Sequence, residues 1–229
     1  MKNFFILSLL ICIFILIVSN LTIGDAKSFY NPLDILNENG STNMVSAIVL
    51  DYRVYDTLFE ILVFTVAVIG VSEFMKKIPI SETNNQNTTY ETSIIKVITP
   101  ILFQIMVLTS LYIAITGHLA PGGGFAAGTI LGTAFLAVSF VRQTDEIEEI
   151  FLNSQIEKAK MLVPLAIIVY GLMGYIWGNN FFSNFNNAGT PGKLTSGGSA
   201  IILNFLILFE VFGGTWTILY RFLKHRGLL

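Results

Sequence analysis

Charge is scarce in this sequence. Only 12% of its 229 residues are Asp, Glu, Lys or Arg, where an ordinary soluble domain carries about 25%, so a water-facing surface over most of the chain is excluded. The charge is not one-sided either. Thirteen basic residues stand against fifteen acidic ones, a net charge of −2 with a pI near 5.7, which leaves no basic footprint for nucleic acid. Cysteine occurs once, at Cys12; this excludes an intrachain disulfide and a Cys-based metal cluster, and inside its apolar run it reads as a small buried or lipid-facing side chain. No second His or Cys stands at ligand spacing from His118, so no metal site is expected. The run of glycines at 122–124 lacks the G-K-[ST] ending of a phosphate cradle and leads into an apolar helix, which argues against nucleotide binding. No cofactor is expected.

What the chain has in abundance is apolar sequence: 53% hydrophobic residues and a mean hydropathy of +0.70. A helix crosses the hydrocarbon core with about 20 largely apolar residues at about 1.5 Å rise per residue. Six stretches meet or approach this: 4–24, 55–74, 97–117, 125–141, 161–178 and 199–220. The predicted fold is therefore all-α, a polytopic membrane protein with about six transmembrane helices. Four of the stretches are uncharged. The second reaches spanning length only with Asp56 and Glu60 inside it, and the sixth only with Glu210.

Orientation follows from the Lys and Arg count. With the N-terminus inside, the inner side carries Lys2, Lys76, Lys77, Arg142, Lys158, Lys160, Arg221, Lys224 and Arg226, against Lys27, Arg53 and Lys193 outside, with Lys96 at an inner edge, where it can snorkel to the headgroups as an anchor. Both termini are predicted cytoplasmic. Lys2 and the apolar run after it also fit a secretory signal with a weak cleavage site at Gly24-Asp25-Ala26, but the run is long for a signal core and favours a retained anchor. Two glycosylation sequons, at Asn39 and Asn87, are too short a pattern to carry a function. The segment PISETNNQNTTYETS at 79–93 reads as a polar linker. It divides the chain into a two-span region, 1–78, and a four-span region, 94–229.

Ionisable side chains at membrane depth are costly and mark ion or proton routes. Glu210 is the twelfth of the 22 residues in its span, near mid-membrane, and nothing close in sequence can neutralise it. Asn204, six residues earlier, falls on nearly the opposite side of a helix, so a partner is expected from another span or from a neighbouring polypeptide. Asp56 and Glu60 share a helix face four residues apart and, with Asp51 and Arg53, form a charged cluster at the outer end of the second span. That cluster is either an ion-paired, water-facing helix end or a vestibule that gathers cations. His118 follows the third span directly; it is either a hydrogen-bonding cap or a proton relay. After it, Pro121, Gly122, Gly123 and Gly124 force a tight turn back into the fourth span. Gly124, Gly128 and Gly132 then recur every four residues, a strip that lets membrane helices approach closely; Gly174 and Gly178 are a shorter version in the fifth span.

The same residues carry a family resemblance. GHLAPGGGFAAG at 117–128 resembles the signature of the B-type component of the multisubunit Na+/H+ antiporters of the Mrp or Mnh type, and the likeness extends over the four spans from about 94 to 221. The stretch 43–71, NMVSAIVLDYRVYDTLFEILVFTVAVIGV, resembles the C-terminal end of the large A-type component of those antiporters. In related archaeal membrane-bound hydrogenases and sulfur-reducing complexes it is a small separate polypeptide. One departure stands out: after Asp51-Tyr52-Arg53 many relatives have Gly-Phe-Asp, where this chain has Val54-Tyr55-Asp56, which keeps the acid and loses the glycine. The resemblance implies a non-catalytic component of an Mrp-type module in which proton and Na+ movement are coupled, with the other subunits and membrane lipid as partners. Glu210, Glu60, Asp56 and His118 are the expected polar positions on the ion route. The alternative is the equivalent membrane-arm component of an energy-conserving oxidoreductase. A self-sufficient transporter is disfavoured, because no inverted repeat is visible.

Overall fold

The structure, a computed structural model of the chain, describes residues 32–78, 93–139, 141, 156–178, 180–186 and 188–224, together with positions 11, 14, 15 and 18. The expected first span with Cys12, the cleavage reading attached to it, the linker at 79–93, the sequon at Asn87 and the polar segment 142–160 lie wholly or largely outside the described residues, as do both chain ends.

Among the described residues every regular element is a helix: α1 Pro32–Asn39, α2 Met44–Ala47 continuing into a π-helical stretch Ile48–Tyr52, α3 Val54–Met75, α4 Ser93–Thr116, α5 Gly124–Ser139, α6 Ile156–Gly178 and α7 Ala200–Lys224. Three are long and apolar enough to cross a membrane, with mean hydropathies of 2.0 for α3, 2.0 for α4 from Ile94, and 1.8 for α7 through Leu223; Gly124–Ser139 and Leu162–Gly178 are shorter apolar helices. The protein is a multi-pass membrane protein. The helix α6 starts five residues ahead of the apolar stretch from 161, because a helix continues into the polar turn that hydropathy does not register. The described part of the stretch between the first two apolar runs, 32–52, also folds into helical turns. There the Asn43 side chain caps α2 by accepting a hydrogen bond from the Ser46 amide.

The hub is α7. Half of its spanning window is buried, against 22% of α3 and 17% of α4, and it packs against α5, α3, α6 and α4. The glycine strip of α5 is what brings α7 so close. A β-carbon on Gly124 would collide with the Asn204 carbonyl oxygen, one on Gly128 would lie 2.7 Å from the Leu208 carbonyl oxygen, and one on Gly132 would lie 2.8 Å from Thr215 Cγ2. On the far side of α7, Gly214 receives the ring of Phe64 from α3. Between α4 and α5, buried Ser110 donates to the Ala127 carbonyl at 2.8 Å, the kind of hydroxyl bond that holds membrane helices together. The main core joins Leu50, Leu58 and Ile61 to Ile167, Leu203 and Ile207.

The shorter glycine strip behaves differently from the expected helix contact. Gly174 and Gly178 of α6 are covered by Ser183, and Gly171 by the rings of Phe181 and Phe182. The chain leaving α6 folds back along the helix it has just left, with Phe182 at φ 60°, and occupies the space another helix would have taken.

Candidate functional site

Glu210 sits near the middle of α7 and is only 2% exposed. A partner comes from α3, 145 residues away in sequence: Thr65 Oγ1 lies 2.7 Å from Glu210 Oε1 and donates to it. The same oxygen lies 2.8 Å from the carbonyl of Ile61, one turn back. A hydroxyl has one proton to give and two lone pairs to accept with, so this arrangement serves both states of the acid. When Glu210 is charged, Thr65 donates to it. When Glu210 is protonated, the acid donates to Thr65 Oγ1, whose own proton turns to the Ile61 carbonyl. Ile61, Ile207 and Val211, all buried in the main core, stand on the adjoining turns of α3 and α7.

His118 lies at the loop end of the bundle. Gly197, three residues before α7 begins, is within van der Waals reach of its ring, so by the rise of α7 the histidine is roughly 15 Å or more from the level of Glu210. The side chain is fully buried; its Nε2 faces the Lys193 carbonyl at 3.4 Å. Burial holds its pKa below the ordinary 6.5, against a smaller upward pull from the carbonyls of Lys193, Ile115 and Leu194. Around it three segments are laced together. Asn43 donates from Nδ2 to the carbonyls of Gly117 and Ala120, both at 2.8 Å, and from its backbone to the His118 carbonyl at 3.0 Å, and Thr42 Oγ1 donates to the Leu119 carbonyl at 2.9 Å. Gly123 and Gly124 close against Asn204, whose Oδ1 accepts from the Gly124 amide at 2.9 Å. Gly122 has φ +154° and Gly123 φ +111°, conformations that L side chains resist. Pro121 and the glycines thus wrap α5 back under α7.

The charged group at the start of α3 divides. Arg53 and Asp56 form an ion pair on the exposed surface, worth little in water. Glu60 is exposed on the same face, beside exposed Phe59 and Val63. Asp51 is turned inward by the π-helical stretch and accepts from Asn39 Nδ2 and, at 3.3 Å, from Asn184 Nδ2. Asn39 is 1% exposed and also accepts from Ser41, so its sequon is spent on internal bonds. Lys96 is exposed in the first turn of α4. The four expected route residues therefore occupy three separate places: Glu210 inside, His118 in the loop lacing, and Asp56 with Glu60 on the outer face of α3. Among the described residues no group of three or more His, Cys, Asp or Glu comes together.

Sequence reading missed Thr65 and Asn43 and set Asn204 aside. The available signals were faint: a lone amide in a spanning helix for Asn204, and an Asn three residues ahead of Ser46 for the cap. Nothing local distinguishes Thr65 from the other threonines.

Residues 94–217 match a domain described as related to the MnhB subunit of the Na+/H+ antiporter. An uncharacterized protein of Methanocaldococcus jannaschii is 27% identical over 196 residues, covering 76% of this chain and 74% of that one. A chain of the membrane-bound sulfane sulfur reductase, an archaeal respiratory membrane complex, superposes with a TM-score of 0.66 at 26% identity and covers 97% of both chains. A chain of the Mrp complex from Dietzia sp. superposes with a TM-score of 0.65 at 20% identity, over 96% of this chain and 26% of that much longer one; at this identity the likeness is one of fold.

Proposed function

Because the chain belongs to the family of domains related to the MnhB subunit of Na+/H+ antiporters, we propose that it is a membrane-embedded, non-catalytic subunit that takes part in coupled proton and Na+ movement within a larger assembly. The observation that carries this reading is the Glu210–Thr65 pair: a buried acid at membrane depth, in a setting that accepts the group both with and without its proton. Such a group can take a proton from one side and release it to another without rebuilding its surroundings. Replacing Glu210 with Gln in the assembled complex is expected to abolish proton-coupled Na+ exchange in vesicles. Unchanged exchange would refute the role.

The remaining features of the reading are six spans with both ends cytoplasmic, and a two-part chain, 1–78 and 94–229, joined by the linker 79–93. Asp56 and Glu60 belong to the route on its outer face. A carboxylate beside Phe59 and Val63 on an otherwise apolar helix suits coverage by a neighbouring polypeptide that offers a hydrogen-bond donor, which supports partners of the multisubunit kind. For His118, full burial favours holding the loop over relaying protons.

A second reading has a specific observation behind it. The sulfane sulfur reductase chain matches this one at 26% identity over 97% of its residues, whereas the likeness to the Mrp chain, at 20% identity, is one of fold. This favours a place in the membrane arm of a redox-driven complex, with the chemistry in other subunits. Mass spectrometry of the intact complex separates the two: redox subunits in the purified assembly support the second reading, antiporter subunits alone the first.

A further inference from the structure

Beneath the glycine loop lies a half-open pocket of about 270 Å³, with Asn43, Ser46, Thr57 and Asn204 on its polar side, exposed Val45 and Val49 on its apolar side, and Ile207 at its floor. Most of its polar groups are committed. The Thr57 hydroxyl donates to the Val49 carbonyl at 2.6 Å, the Asn43 amide is used at both ends, and Asn204 Oδ1 holds the Gly124 amide. Two groups are not: Ser46 Oγ and Asn204 Nδ2 have no hydrogen-bond partner among the described residues, although they are 8% and 2% exposed. A hydroxyl and an amide N–H buried without partners are unfavourable unless water serves them. One water needs about 10–15 Å³ of such space, so there is room for several. No carboxylate lines the cavity, and the open group on Asn204 is a donor, which suits water in preference to a bound metal cation. Below, Ile207 stands one turn before Glu210, and Ile61 stands one turn before Thr65; both are 1% exposed.

We propose that this cavity is a hydrated inlet held by Ser46 and Asn204, and that Ile61 and Ile207 form the apolar collar separating its water from the Glu210–Thr65 pair. Protons reach Glu210 from the loop end of the bundle when the collar admits a transient water. The inlet rests on the proposed role of Glu210, while its hydration stands independently of that role.

Hydroxyl-radical footprinting of the assembled complex tests it, since radiolysis generates radicals from water at the site. Phe125 lines the pocket and is partly exposed, while Phe182 is buried away from it, so Phe125 is expected to oxidise faster than Phe182, and the share of that rate removed by filling the pocket reports the water inside. Ser46→Leu fills the space; it should lower the Phe125 rate several-fold and slow exchange several-fold. If that variant does not assemble, Ser46→Cys, modified by a small thiosulfonate after assembly, replaces it. Equal oxidation of the two phenylalanines in the wild type, or a Phe125 rate unmoved by filling, overturns the inlet. Glu210→Gln separates the two ideas. Phe125 labelling retained with exchange unchanged removes the role of Glu210 and leaves the hydrated cavity, whereas lost exchange with a dry Phe125 removes the inlet alone.

Discussion

Gly124 and Asn204 are joined twice. The Gly124 amide donates to Asn204 Oδ1 at 2.9 Å, and the absence of a side chain on Gly124 lets the Asn204 backbone carbonyl rest where a β-carbon would be. The contact fixes where the chain re-enters the bundle and sets the register of α5 on α7.

Gly124→Ala is therefore expected to push α5 from α7, because the atom it meets is backbone. Overpacking of this kind costs about 1–3 kcal/mol, and thermal unfolding in detergent should show it. Gly70→Ala is the control. Nothing lies within 4 Å of a β-carbon there, and removing a helix-interior glycine favours the fold by about 0.5–1 kcal/mol. Equal effects of the two would mean that the close approach does not exist.

Thr65→Val removes the donor to Glu210 and keeps the shape, whereas Thr65→Ser keeps the hydroxyl. A hydrogen bond to a charged group contributes about 1.5–3 kcal/mol, so the valine variant is expected to lose about tenfold or more in exchange rate while the serine variant stays close to wild type. Exchange that is indifferent to both changes would leave the hydroxyl without a part in proton handling.

His118 makes stability depend on pH. Its folded pKa lies below the ordinary 6.5, so between the two values the unfolded chain holds a proton that the folded chain does not. Stability from this group is complete above about pH 6.5 and is lost as the pH falls through the folded value. The melting temperature should drop on acidification in that window, and His118→Gln should flatten the slope. A slope that persists in the variant assigns the pH response to other groups.

Asn43 ties α2 to the end of α4 through two carbonyls that lie beyond the reach of the helix's own amides. Asn43→Ala is expected to cost about 1–3 kcal/mol, since the carbonyls of Gly117 and Ala120 are left without that donor. Increased hydrogen exchange confined to 40–52 and 117–124 would mark the loss as local.

Composition alone determined that this is a membrane protein. Uncharged runs of about 20 residues have no other stable home, and an acid inside such a run must find a partner. Backbone chemistry likewise determined the turn at 121–124, because proline and three glycines leave few alternatives, and the four-residue glycine period marked a face made for close packing. What covered each face was decided only in three dimensions. The same small-residue signal received α7 over Gly128 and Gly132 but a returning loop over Gly174 and Gly178, and a threonine of α3, distant in sequence, came to hydrogen-bond Glu210. The physical reason is that local sequence states the cost of burying a group, while the rotation and register that bring two helices together depend on the volumes of side chains far apart in the chain.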